Sequence, residues 1–292
     1  MRKATALLCL CLLLLQGAFA LEDTQWIKIP EDFAAGEWET GPYTAGYVHG
    51  GSEADIAALA SGLLGPDYIE NENGTLLEAK DGEIWEIRRM DVDHETGEIS
   101  YWDPLVSSER GAEYEPPALG ISRDEALEKC RGLLGGHMPE EYFARLNMGY
   151  EKKDRWHGEE KRSMGDAEYD GFCRERKLAY FRFDHAAENG FAFLGEGLTA
   201  SVGANGLNGF TLNRHAFEAA DGTAELMPLE QALEMASSTR STETMLLHAE
   251  PVYSNWVSGD ENFNLCWYIV TGRGNYVVDC VLGRHVCDSW EY

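Results

Sequence analysis

The chain has 292 residues and is strongly acidic, with 51 Asp and Glu against 24 Lys and Arg and a formal net charge of −27. A surface of that sign repels nucleic acid and anionic lipid, and no basic cluster overrides it locally, so DNA, RNA and membrane-surface binding are excluded. The chain is long enough to bury a substantial core without disulfide staples.

Residues 1–20 carry the three parts of a cleavable secretory signal. Arg2 and Lys3 form a basic start, Ala6 to Leu15 is an almost unbroken apolar run, and Ala18-Phe19-Ala20 supplies the small residues a signal peptidase reads. Gln16 and Gly17 end the run short of the roughly 20 apolar residues that a spanning helix needs, so cleavage after Ala20 is expected over retention as an anchor. Cys9 and Cys11 lie inside the apolar run and not directly after a small-residue motif, which argues against a lipid-modified cysteine. No later segment is apolar enough to span a bilayer, so the expected location is secreted or extracytoplasmic, without membrane insertion.

The mature chain keeps five cysteines: Cys130, Cys173, Cys266, Cys280 and Cys287. Their odd number, wide spacing and lack of a C-x-x-C pair argue against a zinc site and against a disulfide-dense scaffold.

Residues 21–50 show no clear period and read as an irregular lead-in. Residues 51–118 read as an α+β module. Ser52-Glu53-Ala54-Asp55 opens a helix with Ile56, Leu59, Ala60 and Leu63 on one face, stopped by Gly65-Pro66. Strands follow at Thr75 to Ala79, Glu83 to Val92 and Glu98 to Trp102, joined by Lys80-Asp81-Gly82 and by Asp93-His94-Glu95-Thr96-Gly97.

A second module covers 119–222. Ser122-Arg123-Asp124-Glu125 is a capping box, and Ala126, Leu127, Cys130, Leu133 and Leu134 form the apolar face of the helix it starts. Alternation at Tyr142, Ala144, Leu146 and Met148, and within Leu178 to Phe183, Phe191 to Leu194 and Leu198 to Val202, predicts strands, with turns at Asn189-Gly190 and Asn208-Gly209. A charged excursion at 151–169 interrupts them.

The third module, 223–292, starts a helix at Met227-Pro228-Leu229-Glu230-Gln231, with Ala232, Leu233 and Ala236 on its apolar face. Strands are predicted at Leu246 to Ser254, Phe263 to Thr271 and Tyr276 to Val281, with Gly272-Arg273-Gly274 as a turn. The fold class expected is α+β: tandem modules of a helix plus an antiparallel meander.

A capped helix carrying Glu-Ala-Leu, followed by strands ending in Tyr276-Val277-Val278-Asp279 with Gly283 four residues on, resembles the PepSY module. Pro251-Val252-Tyr253-Ser254 and Cys266-Trp267-Tyr268-Ile269-Val270-Thr271 look like the tail of extracytoplasmic regulators of the YycI and YycH type. The resemblance implies a helix across a small antiparallel sheet and an Asp-x-x-x-Gly turn closing the last hairpin. Asp93 to Gly97 repeats that spacing. It also implies a Gram-positive protein that acts by binding, and it transfers no catalytic residue.

Asp91, Asp93 and Glu95 fail the calcium-loop pattern, because the glycine falls one position late and Trp102 stands where a glutamate belongs. The chain contains no H-E-x-x-H, G-x-S-x-G or P-loop motif. Gly203-Ala204-Asn205-Gly206-Leu207-Asn208-Gly209 reads as a flexible loop, and Asn73-Gly74-Thr75 as a turn. His157, His185, His215, His248 and His285 are scattered, with no partner at metal spacing in sequence.

No catalytic, metal or cofactor residue is therefore assigned. If the last turn is centred on Arg273, Cys266 faces Cys280, and the pair is either a cross-strand disulfide or two small buried hydrophobes. Trp26, Trp38, Trp156 and Trp290 are candidates for an exposed aromatic surface.

The function expected is an exported, non-enzymatic protein that binds or regulates another extracytoplasmic or membrane-anchored protein or an envelope component. The alternative is a secreted hydrolase using acidic residues in a cleft between modules.

Overall fold

The computed structural model describes residues 26–31, 33, 36–80, 87–106, 116–147, 166–238, 243–259 and 262–289. The expected signal segment 1–20, Asp81-Gly82, Trp156, His157, Trp290 and most of the 151–169 excursion lie outside them.

The chain begins with β1 (Ile27–Lys28), β2 (Tyr43–Thr44), β3 (Gly46–Ser52) and α1 (Ile56–Leu64). A run of short strands follows: β4 (Ile69–Glu70), β5 (Leu76–Glu78), β6 (Arg89–Val92) and β7 (Ile99–Trp102). After α2 (Arg123–Leu134), a 3-10 turn at Glu140–Phe143 and α3 (Asp166–Glu175) come β8 (Leu178–Ala186), β9 (Ala192–Gly203), β10 (Gly206–Asn213) and β11 (His215–Ala219). The last elements are β12 (Thr223–Ala224), α4 (Leu229–Ser237), β13 (Thr244–Ser254), β14 (Asn262–Thr271), β15 (Gly274–Asp279) and β16 (Arg284–Ser289).

The expected α+β class of tandem helix-plus-antiparallel-meander modules is corrected by this structure. Among the described residues the protein is mostly β, 42% strand and 19% helical, with a mixed sheet of 14 strands and 4 short helices. Two causes are visible. Strands β3, β11 and β16 come from stretches without an alternating pattern, and β7 pairs with β10, which fuses the first two predicted meanders into one sheet.

By contacts the chain divides into two compact units, each built from separate stretches. The unit of Gly46–Gly222 with Val252–Asn264 contains an antiparallel sheet in the order β8-β9-β10-β7-β6-β5-β4. Helix α1 starts at Asp55, whose carboxylate accepts the Ala58 N–H at 3.0 Å, and stops at Gly65, where φ is +105°. Helix α2 starts on the predicted capping box, Ser122 with Glu125. The buried faces of the two helices, Leu59, Ala60, Leu63 and Leu64 on one and Ala126, Leu127, Cys130 and Leu134 on the other, share a core with Met90, Ile99, Phe181, Phe183, Leu198 and Leu212.

Several local expectations shift within this unit. Tyr142 and Phe143 are both buried, which adjacent residues of a one-sided strand are not, and the Tyr142 N–H returns to the Pro139 carbonyl in a 3-10 turn. Leu146 makes only an isolated bridge to Phe183. The predicted loop at 203–209 narrows to Ala204-Asn205, because Gly203 already pairs with Gly206. Gly209 lies inside β10, where a Cβ would meet the Tyr101 carbonyl oxygen at 2.5 Å. Close backbone approach, not looseness, is what needs glycine there.

In the other unit, β14, β15 and β16 form an antiparallel set, β1 runs parallel to β13, and α4 buries Ala232, Leu233 and Ala236. Asp279 ends β15 with its Oδ1 accepting the Val281 and Leu282 N–H groups, and the Gly283 N–H donates to the Asp279 carbonyl at 3.0 Å. Asp93 to Gly97 repeats this bonding, with Asp93 Oδ1 taking the Glu95 and Thr96 N–H groups and Gly97 at φ +70°. Those hydrogen bonds lower the Asp93 pKa, and the segment is the hairpin turn that its failed calcium pattern implied.

The turn between β14 and β15 is the two-residue Gly272-Arg273, so Cys266 faces Asp279 and the Cys280 N–H donates to Leu265. One residue of offset sends the two cysteine side chains to opposite faces, and both are unbridged thiols, with burial pushing that of Cys280 up to about 11. Alkylation in denaturant without reductant is expected to label Cys130, Cys173, Cys266, Cys280 and Cys287. Protection of two thiols in the mass spectrum would mean a bridge and a shifted register.

Candidate functional site

Strand β9 is interrupted by its own glycines. Gly195 (φ +94°) and Gly197 (φ +134°) bracket Glu196, and the pairing with β8 jumps from Asp184–Gly197 to Ala186–Ala192. A Cβ on Gly197 would lie 2.1 Å from the Phe183 carbonyl oxygen. The irregularity sets Glu196 within the unit at 3% exposure.

Glu196 meets His215, the first residue of β11. Its Oε2 accepts the His215 backbone N–H at 3.1 Å and lies 2.8 Å from Nδ1, while His215 Nε2 donates to the Thr96 carbonyl at 2.9 Å. Gly97 makes room for that contact, since a Cβ there would sit 2.8 Å from Nε2. The Thr96 carbonyl only accepts, so Nε2 carries a proton, and the Glu196 carboxylate favours a second proton on Nδ1. Burial opposes that charge, but the hydrogen bond and charge of Glu196, the Thr96 carbonyl and Glu53 outweigh it, and the His215 pKa is raised.

His49 on β3 places its ring 3.8 Å from that of His215, centroid to centroid. The ligand atoms of His49, Glu196 and His215 all lie within 4.8 Å of one another. Aromatic rings enclose the group: Phe193 stacks on Phe217 at 3.7 Å, and Phe217 meets Phe263 at 4.9 Å. His185 contacts Phe193 and Phe217, and its Nδ1 is buried without a hydrogen-bond partner. Burial, followed by the charge of Arg214, drives its pKa down to about 4, so it is neutral near pH 7. Arg214 is held by Glu53 at 2.9 Å and lies over the Tyr142 ring.

Of the five histidines read from the sequence, the fold brings His185 and His215 to this centre. His248 faces Glu250 at 3.4 Å, and the half-buried His285 has its pKa lowered by burial. His49 and Glu196 were missed. His49 sits in a glycine-rich stretch that reads as lead-in, and Glu196 is one carboxylate among 51 acidic residues. The Gly195-Glu196-Gly197 bracket was the one available signal.

A second feature lies in the other unit. A groove of about 530 Å³ is lined by residues 36–40, 226–230 and Trp267. Trp267 is buried and donates its indole N–H to the Met227 carbonyl at 2.8 Å, while Trp38 is 40% exposed. Exposed Glu37, Glu39 and Glu230 edge the groove. Of the tryptophans suggested for an aromatic surface, Trp38 is placed in this position and Trp26 is half-buried.

The chain matches no family model and no curated protein. Among solved structures it is similar to the Bacillus megaterium YpeB C-terminal domain, at 14% identity and a TM-score of 0.37, covering 83% of this chain and 100% of that one. It is also similar to an uncharacterized protein from Eubacterium rectale ATCC 33656, at 9% identity and a TM-score of 0.35, covering 84% of this chain and 81% of that one. Likeness at this level assigns no family. No helix among the described residues is long and apolar enough to cross a membrane.

Proposed function

We propose that this chain is an exported, non-enzymatic binding protein whose Trp38 groove takes a cationic, apolar-anchored segment of another extracytoplasmic protein. The groove carries the reading. Its floor, with Leu226, Leu229 and Trp267, offers apolar contact, and Glu37, Glu39 and Glu230 ring it with negative charge. An exposed indole beside carboxylates attracts Lys and Arg through its π face as well as through charge, a contact worth roughly 0.5–2 kcal/mol. The signal-like residues 1–20 and the net charge of −27 agree with an extracytoplasmic acidic binder.

The test uses the mature chain against a peptide array spanning charge and hydrophobicity, followed by titration of Trp fluorescence. Basic peptides with an apolar anchor are expected to bind selectively. Trp38→Ala should weaken them about tenfold, the scale of one lost aromatic contact, and glutamine at 37, 39 and 230 should flatten the salt dependence. Absence of charge selectivity, or turnover in a hydrolase screen with no peptide binding, would overturn the reading.

A further inference from the structure

We infer that His49, Glu196 and His215 form a site for one divalent transition-metal ion, with zinc the favoured occupant. The three residues come from β3, β9 and β11, which sequence places far apart and which the fold of one unit gathers until their ligand atoms lie within 4.8 Å of each other. In a tetrahedral zinc site with bonds of about 2.0–2.1 Å, neighbouring ligand atoms stand about 3.4 Å apart, so the 2.8 Å pair would open by about 0.6 Å and the wider pairs close by under about 1.5 Å. Two imidazole nitrogens with one carboxylate select zinc and its neighbours over calcium or magnesium, which take oxygen.

The orientation of His215 is the more specific sign. Its Nε2–H is fixed on the Thr96 carbonyl, which turns Nδ1 toward Glu196 Oε2 at 2.8 Å. A proton on Nδ1 bridges the pair at 2.8 Å, and a metal ion taking that proton's place would spread the two atoms to about 3.4 Å. Anchoring the far N–H of a ligating imidazole on a backbone carbonyl is the second-shell support that metal-bound histidines use. The backbone is built around the same atoms: Gly97 leaves room at Nε2, and Gly195 and Gly197 bracket Glu196. Phe217 and Phe263 flank His49 at 5.8 and 6.0 Å, limiting competition from bulk water. Zinc would displace the proton from Nδ1 and release it to solvent, leaving one coordination position for a water molecule. With Glu196 and His215 at 3% and 4% exposure, the ion would tie β9 to β3 and β11 and not present itself to a large substrate.

The full mature chain is stripped with chelator and dialysed against zinc in the presence of a competing buffer ligand, and the loaded protein is taken to zinc-edge X-ray absorption. One zinc per chain is expected, with imidazole scattering from two histidines and one carboxylate oxygen at about 2.0–2.2 Å. His49→Gln should cut affinity at least about hundredfold, and His285→Gln should leave it unchanged. If His49→Gln does not fold, the wild-type absorption spectrum decides alone. No stoichiometric uptake, a shell of oxygen only, or uptake indifferent to His49→Gln would each overturn the site.

Discussion

Gly197→Ala is expected to cost about 4 kcal/mol or more, or to prevent the unit from folding. The added methyl would be driven to 2.1 Å from the Phe183 carbonyl oxygen, and the obstructing group is backbone of the neighbouring strand, which cannot rotate away. The residue also holds φ at +134°, a conformation a side chain disfavours by roughly 1–3 kcal/mol. Gly195→Ala is the matched control. It shares the positive φ, at +94°, but a Cβ there meets nothing within 4 Å, so only the conformational cost of about 1 kcal/mol applies. Urea midpoints of the two variants separate steric from conformational terms, and equal midpoints would show that β9 does not need its close approach to β8.

Acidification is expected to remove about 3 kcal/mol of stability between pH 6.5 and about 4 through His185. Its folded pKa is depressed to about 4, so over that interval the unfolded chain binds a proton that the folded chain refuses. Stability from this group is complete above pH 6.5 and is lost as pH falls toward 4. The groups acting on it are Arg214 and His215, which oppose a further positive charge, and Glu53, which favours one. The raised pKa of His215 places its own window above 6.5, where it acts in the opposite sense, so the two do not overlap. Urea titrations across this range should show the acid slope in the wild type and a much flatter one in His185→Phe. An unchanged slope in the variant would assign the acid loss to carboxylates instead.

The readable parts of this chain are those whose signals are local. The capping box at Ser122 and Glu125, the apolar faces of α1, α2 and α4, and the paired Asp93–Gly97 and Asp279–Gly283 turns are each written within a dozen residues. Strand identity was legible where alternation faced one core, as in β8 and β14. It failed where partners impose the strand. Gly46 to Ser52 contains three glycines and no alternation, yet β11 and β14 hold it extended. The candidate metal ligands sit on such elements, which is why His49 read as lead-in and Glu196 as one more surface acid. The α+β expectation failed for the same reason: a meander announces its own hairpins, but nothing in it announces which edge its last strand will seek.

That edge has a consequence for how the chain acquires its fold. Ile99 to Trp102 are laid down early in synthesis, but the strand they join, Gly209 to Leu212, lies more than a hundred residues later. Until it arrives, one side of β7 is an open row of amides and carbonyls beside Ile99 and Tyr101, a template for any extended segment nearby. The nascent first half is therefore sticky by construction, and closing it carries the entropic delay of a long-range contact. Chains that stop short of β10 are the ones expected to associate edge to edge, so the order in which the polypeptide is delivered governs its solubility as much as its final surface charge does.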